Sequence, residues 1–493
     1  MDGVPFQRRD GLVAFYVYNL ATQVRHLVAV VRKSAMCTCG CLAWCTLAPI
    51  FFWLQWSFRA LAVGMAPDRR HDGRPFGDEE TARANRAGTQ LPKCVLLQIK
   101  GDWAEFSHTF GLPSWSSNLH PCFCCSATKD TLMEVGQTSP LSGPSPSTVH
   151  GEYGEACRHC EVRARIPDRR TLQILVGLLH YDKQRGGSKG RALQEGVPAL
   201  GLLAGDRLEP QPDLLNVADF EQLQVPVEVL FWRPANQTLA LHRNPLFTDE
   251  LGVSVQTLAL DCLHVLHLGV FNVFCCHALW ALLEADVWRT GTTGETLLQL
   301  GVMRCRHELF AWYAEQERAN PTARVYRLQD LTWKMLGTRA HKHLATKGAE
   351  TGTLLQYVAL AVRTHKAKLG AAGPALAGAG ESLVSLLAAL RDYPACLSPA
   401  MTQTMVDAAK RAFVLAGQAG VPRTPKWHLM LHVVAKASFS GNPYFHTTFV
   451  DEGFNGRLAK LARNAHRLNW HRRVLGHFRW AFTKQADQRR RLG

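Results

Sequence analysis

The chain has 493 residues and a net charge of +16, with 47% hydrophobic and 19% charged residues. That balance can bury a core and excludes a disordered or collagen-like chain, and the length allows one large or two to four ordinary domains. The positive charge favours a polyanionic partner, nucleic acid ahead of a membrane surface, and it is uneven: from Asp451 onward there are eleven Lys/Arg against three Asp/Glu.

The first ten residues lack the apolar run of a secretory leader. The fifteen cysteines are bunched, at 37, 39, 41 and 45 and again at 122, 124, 125, 157 and 160. That pattern fits metal binding in a reducing compartment better than disulfides. Gly11–Leu20 is rich in β-branched and aromatic residues and predicts a strand. Ser34–Phe58 carries no charge and is long enough to span a bilayer, but Pro49, Gln55 and several small polar residues favour a buried core segment. Phe51–Val63 predicts a helix, 64–74 a loop and Val95–Ile99 a short, fully apolar strand. Residues 126–156 are rich in Ser, Thr, Pro and Gly and predict a loop, 168–184 a helix, 185–191 a solvated loop and Val225–Trp232 a strand. Beyond 255 helical patterns dominate, over Thr257–Leu283, Thr296–Glu317, Thr353–Lys368, Gly380–Leu390 and Met401–Ala416, with a Gly/Ala-rich break at 370–380. Pro425–Ala435 and Val450–Leu468 follow, then a basic helix to about Lys484. Strands first and helices later predict an α/β core with insertions.

Several segments carry candidate chemistry. Gly101 permits a sharp turn after the apolar run, so Asp102 would stand at a strand's C-terminal edge, either as a metal-holding acid or as an ordinary turn residue. Cys122/Cys125 and Cys157/Cys160 supply four thiolates at the spacing of a structural Zn²⁺ site, with His120, Cys124 and His159 as spare donors. Asp261 and His264 lie three apart on a helical face, so the carboxylate can orient the imidazole or simply cap the helix. His428 and His432 lie at i and i+4 and could be a metal pair, but the Glu of a metalloprotease helix is missing, which favours a basic, aromatic helix near DNA or near the active site, with Lys426 at its start. Asp451 and Glu452 open a basic helix, as dipole-favoured caps or as metal-binding acids.

In this order the segments resemble the cut-and-paste DDE transposases of the CACTA and Plavaka-like group. The shared pattern is Asp-Gly-x-x-Phe, Gly-Asp-Trp with Cys-x-x-Cys, Asp-x-x-His-x-x-x-Leu-Gly-Val, Pro-Lys-x-His, and an acid before an Asn-containing helix. The resemblance covers nearly the whole chain. It implies an RNase H-like core over 1–120, a Cys-rich insertion over 121–255, a helical insertion over 256–424 and closing core helices with a basic tail over 425–493. It implies that Asp2, Asp102 and Glu452 hold two Mg²⁺ or Mn²⁺ ions for phosphodiester hydrolysis and strand transfer, with Asp261 as competitor for one place and His264 as its accessory. It implies a nuclear protein on transposon ends and target DNA, in a homo-oligomer, with Arg457, Lys460, Arg463, Arg467, Arg472 and Arg473 on phosphates. Asp2 has a single residue before it, so the first strand is expected to be cut short, its end frayed and the chain a poor catalyst. Two other readings stand beside this one: a non-catalytic DNA-binding derivative, and a protein anchored in a membrane by 34–58.

Overall fold

The computed structural model describes residues 2–134 apart from 8–9, 37–42, 111, 113–114, 117–120 and 126; then 230–231, 240–241, 245–246 and 249–253; then 257–465 apart from 291–293 and 323–324; and 470–478. The expected helix at 168–184, the loop at 185–191 and most of the strand at 225–232 lie outside these. The strands are β1 (Asp2–Gln7), β2 (Asp10–Asn19), β3 (Val24–Arg32), β4 (Ile99–Gly101), β5 (Leu230–Phe231), β6 (Ala240–Leu241) and β7 (Leu258–Leu260). The longer helices are α1 (Trp44–Val63), α2 (Trp103–His108), α3 (Asn272–Glu284), α4 (Glu295–Ala319), α5 (Gly348–His365), α6 (Gly373–Asp392), α7 (Pro399–Gln418), α8 (Pro425–Ser440), α9 (Phe449–Asn464) and α10 (470–478). The fold is mixed, mostly helical with small sheets, and divides into two compact units.

The first unit comprises 1–126, 151–258 and 450–493. β1, β2 and β3 form an antiparallel meander in which Asp2 stands opposite Ala14 and Val13 opposite Val31. Successive side chains of a strand point to opposite faces. Leu12 and Ala14, with Val30, meet Leu458, Ala459 and Ala462 of α9 and Trp470, Val474 and Phe478 of α10. Phe15 points the other way and meets Phe51 of α1, ring centroids 5.9 Å apart. The sheet is therefore covered by helix on both faces. β4 pairs with β7 in a separate ladder.

The second unit comprises 127–150 and 259–449. A π-helical run over Leu263–Phe271 continues into α3 and packs with α5 and α8, while α5, α6, α7 and α8 pack in sequence. Two stretches, Leu263–Glu284 and Gly348–Asp392, are long and apolar enough to cross a membrane, but 72% and 61% of their apolar windows are buried inside the protein. All-round hydrophobicity of that kind is also what a core helix shows.

Several expectations change. The strand expected at Val95–Ile99 starts only at Ile99; Val95 and Leu97 are 76% and 57% exposed, so that apolar run is not core. Asp2 opens β1, which is paired to β2 along its length. Thr257–Leu283 is not helical throughout. Leu258–Leu260 forms β7, and helix begins only after Asp261, whose carboxylate takes the first free backbone N–H groups. The Gly/Ala break at 370–380 shrinks to Gly370, at φ +63°, and α6 starts at Gly373. Its glycines stay helical because they sit at close crossings. A Cβ on Gly380 would come within 2.9 Å of Phe274 and 3.1 Å of Ala359. Of the uncharged segment, Leu47, Phe51 and Leu54 of α1 are buried, as a core helix requires.

Candidate metal centre and acidic residues

Cys122 and Cys125 lie on the short segment after α2, buried with Phe123, whose ring packs on Phe106 and Trp103 at 5.5 and 6.2 Å. The Cys124 backbone N–H donates to Cys122 Sγ at 3.3 Å. His428 and His432 are buried one turn apart on α8, their Nε2 atoms 3.0 Å from each other. One donor atom from each of Cys122, Cys125, His428 and His432 falls within 4.8 Å of all the others. A tetrahedral ion with Zn–N near 2.0 Å and Zn–S near 2.3 Å spaces its ligands by roughly 3.3–3.8 Å, so wider gaps in the set would close slightly and the Nε2 pair, at 3.0 Å, would open slightly. The set could bind a zinc-type metal. Burial raises the Cys122 thiol well above its ordinary range, and it lowers His428 to about 4 and His432 well below its usual value. The imidazoles are therefore neutral near pH 7 with lone pairs to offer, and the thiols must shed protons as metal enters. Four protein donors leave no open position, the mark of a structural site.

The site corrects the sequence expectation in part. Cys122 and Cys125 belong to it, but the described partners are His428 and His432, not a second Cys pair. Cys157 and Cys160, like His120 and His159, lie outside the described residues. The two histidines, weighed as a metal pair but expected rather on a basic helix near DNA or the active site, are core residues. Their i, i+4 spacing beside an unmatched Cys-x-x-Cys was the available signal.

Asp261 is 2% exposed and accepts five hydrogen bonds. They come from the backbone N–H of Leu263 (3.1 Å), His264 (3.1 Å) and Thr448 (2.9 Å), His264 Nδ1 (2.5 Å) and Thr448 Oγ1 (2.7 Å). Burial alone would raise its pKa, but the His264 ring and Thr448 outweigh that, and the pKa is lowered. The expected Asp261–His264 pairing is thus present, with the capping role beside it.

Asp102 is the N-cap of α2, its Oδ1 accepting from the Glu105 N–H at 2.7 Å. Asp451 at the start of α9 receives Arg25 Nε at 2.7 Å and Lys100 Nζ at 3.3 Å. Glu452 is exposed. Nothing is described of the Asp2 side chain. Among the described residues no group of three or more carboxylates gathers within metal-binding reach. Arg457, Lys460 and Arg463 are exposed along α9, spaced by three so that they form one stripe, and Arg472 and Arg473 are exposed on α10. Arg467 lies outside the described residues. Lys426, at the start of α8, is half-buried, its stem against Gly269 and its Nζ donating to the Leu268 carbonyl at 3.4 Å. No family model, curated protein or solved structure matches the chain.

Proposed function

We propose that this chain is a transposase-like DNA-binding protein on an RNase H-like core, with a structural zinc site, acting in the nucleus on transposon ends and target DNA as a homo-oligomer. The observation that carries the reading is the ion pair between Lys100 and Asp451, 3.3 Å across 351 positions of sequence. It brings the end of β4, where Asp102 stands, against the start of α9, where Glu452 stands. Asp2 lies on the β1–β2–β3 meander, opposite the Ala14 that packs under α9, whereas β4 belongs to a separate ladder with β7. The chain order of a meander, a helix, a strand followed by an acid and a late helix on the meander supports the reading, although β4 is not joined to the meander. The exposed arginines and lysine of α9 supply a phosphate-binding face beside these acids.

The acids offer the hard oxygen ligands that Mg²⁺ or Mn²⁺ accepts, and such ions would supply an activated oxygen and stabilise the leaving oxygen. The described carboxylates do not gather into one cage. A second reading, the non-catalytic DNA-binding derivative, is favoured by the engagement of Asp102 in a helix cap and of Asp451 with two cations. Duplex DNA carrying terminal repeats, incubated with the protein and Mg²⁺ or Mn²⁺, separates the two. Nicking that disappears in Asp102→Asn supports the transposase. Binding without nicking supports the derivative. Absence of DNA binding overturns both.

A further inference from the structure

The seam between α9 and the meander changes character toward the β2–β3 hairpin. Where Leu458 and Ala462 meet Leu12 and Ala14 it is apolar. One to two turns earlier on α9 it holds Asp451 and Phe454, with Arg25 of β3 between them. Arg25 stands opposite Tyr18 in the β2–β3 ladder, its guanidinium carbon 4.4 Å from the Tyr18 ring centroid and 5.3 Å from that of Phe454. Its Nε donates to Asp451 Oδ1 at 2.7 Å, and the side chain is 15% exposed. Two rings and a carboxylate therefore fix the plane of this guanidinium. Among the described residues no protein acceptor meets its terminal nitrogens. Arg457 sits on the same Phe454 ring at 4.7 Å. The two guanidinium carbons are thus at most about 10 Å apart, the sum of their distances to the ring. Phe454 is held in turn by Tyr16, whose ring meets it edge-on at 6.4 Å. Asp451 also receives Lys100 Nζ at 3.3 Å, so its single charge is met twice and the cluster stays positive.

An arginine that served only its ion pair would set its fork on the carboxylate, the bidentate arrangement the two groups favour. Here the carboxylate takes Nε alone, and the terminal fork is left to a second acceptor. A planar fork in a positive cluster matches the oxygens of a phosphate. We infer that Arg25 and Arg457, both seated on Phe454, form a phosphate-binding site for the backbone of DNA, with Asp451 and Phe454 as positioning residues. The inference rests on the DNA-binding reading and extends it, because Arg25 comes from the meander and lies outside the stripe of α9. The two cations are unequally prepared. Arg457 is exposed, whereas Arg25 is already held on three sides and loses little side-chain freedom when an anion arrives.

The test is binding of a labelled DNA duplex by fluorescence anisotropy across a salt series, with thermal unfolding of each variant alongside. Arg25→Met should lower the slope of log affinity against log salt by about 0.9, and the affinity at about 0.1 M salt roughly eightfold, as loss of one phosphate contact does. Arg25→Lys, whose compact ammonium stays on Asp451 and offers no fork, should lose nearly as much while keeping the ion pair that holds the hairpin. Phe454→Leu should also weaken binding, and Phe454→Tyr should restore it. If Arg25 only fastens α9 to the hairpin, both Arg25 variants will lower Tm and leave the slope of the folded protein unchanged, which overturns the site and spares the DNA-binding reading. Inorganic phosphate at constant ionic strength separates the two sources of the anion. Phosphate that raises the Tm of the wild type but not of Arg25→Lys, with equal DNA slopes in both, marks a site for free phosphate and overturns the assignment to DNA. Tighter binding of an RNA duplex of the same sequence overturns that assignment too. If the wild type binds no DNA, the DNA-binding reading falls and the DNA site with it; stabilisation by phosphate that Arg25→Lys loses would then leave only a free-anion site.

Discussion

Replacing Asp261 by Asn tests a buried carboxylate that accepts five hydrogen bonds. The carboxylate accepts at both oxygens, Oδ1 from Leu263 and Thr448 N–H groups, Oδ2 from the His264 N–H, the His264 ring and the Thr448 hydroxyl. Asn offers one acceptor and one donor. With its amide nitrogen at the Oδ1 place, two buried N–H groups lose their acceptor. With it at the Oδ2 place, the His264 N–H loses its acceptor, while the ring and the hydroxyl can reorient. One to two orphaned donors at about 1–3 kcal/mol each, plus the loss of charge-assisted bonds, give a loss of about 2–4 kcal/mol. For a unit of this size that is roughly 5–15 °C in Tm. Urea unfolding followed by circular dichroism measures it, with Thr448→Val costing about 1 kcal/mol as a smaller step. The pH dependence follows from the lowered pKa. The unfolded carboxyl binds its proton first, so the stabilisation is complete above the unfolded value near 4 and is lost as pH falls through the folded value. A loss below about 1 kcal/mol in Asp261→Asn at pH 7 would refute the reasoning.

His267 is buried with Nδ1 2.8 Å from the Gly348 carbonyl, and burial lowers its pKa to about 4. The unfolded imidazole protonates near 6.5, so stability is full above that pH and falls between 6.5 and 4, by about 3 kcal/mol for this group; Tm measured across that range should show a shallower slope in His267→Asn than in the wild type. Purified protein should carry about one Zn²⁺ per chain and, with Co²⁺ in its place, the absorption of a tetrahedral thiolate–imidazole site; Cys122→Ser or His432→Ala should abolish both, while retention of full metal in either would exclude the four-residue set. Neutralising Arg457, Lys460 and Arg463 together should lower the slope of log affinity against log salt by roughly 0.9 for each phosphate that is no longer neutralised; an unchanged slope would make the stripe mere solvated surface.

What the sequence determined by itself is local. The strand at 11–20, the long helices at 296–317 and 401–416 and the basic stripe of α9 follow from side-chain periodicity, which each segment carries internally. Cys122 and Cys125 were legible as metal donors for the same reason, because two residues of spacing already bring two thiols together. The tertiary structure decided what needed partners far along the chain. His428 and His432 could be read as a metal pair or as part of a basic helix near DNA or the active site, and only the tertiary structure put their nitrogens beside thiols some 300 positions away. Lys426 carried a charge fit for phosphate, yet it lies along Gly269. The glycines of α6 looked like a break because their entropic cost is visible in sequence, whereas the close helix crossings that offset it exist only after packing.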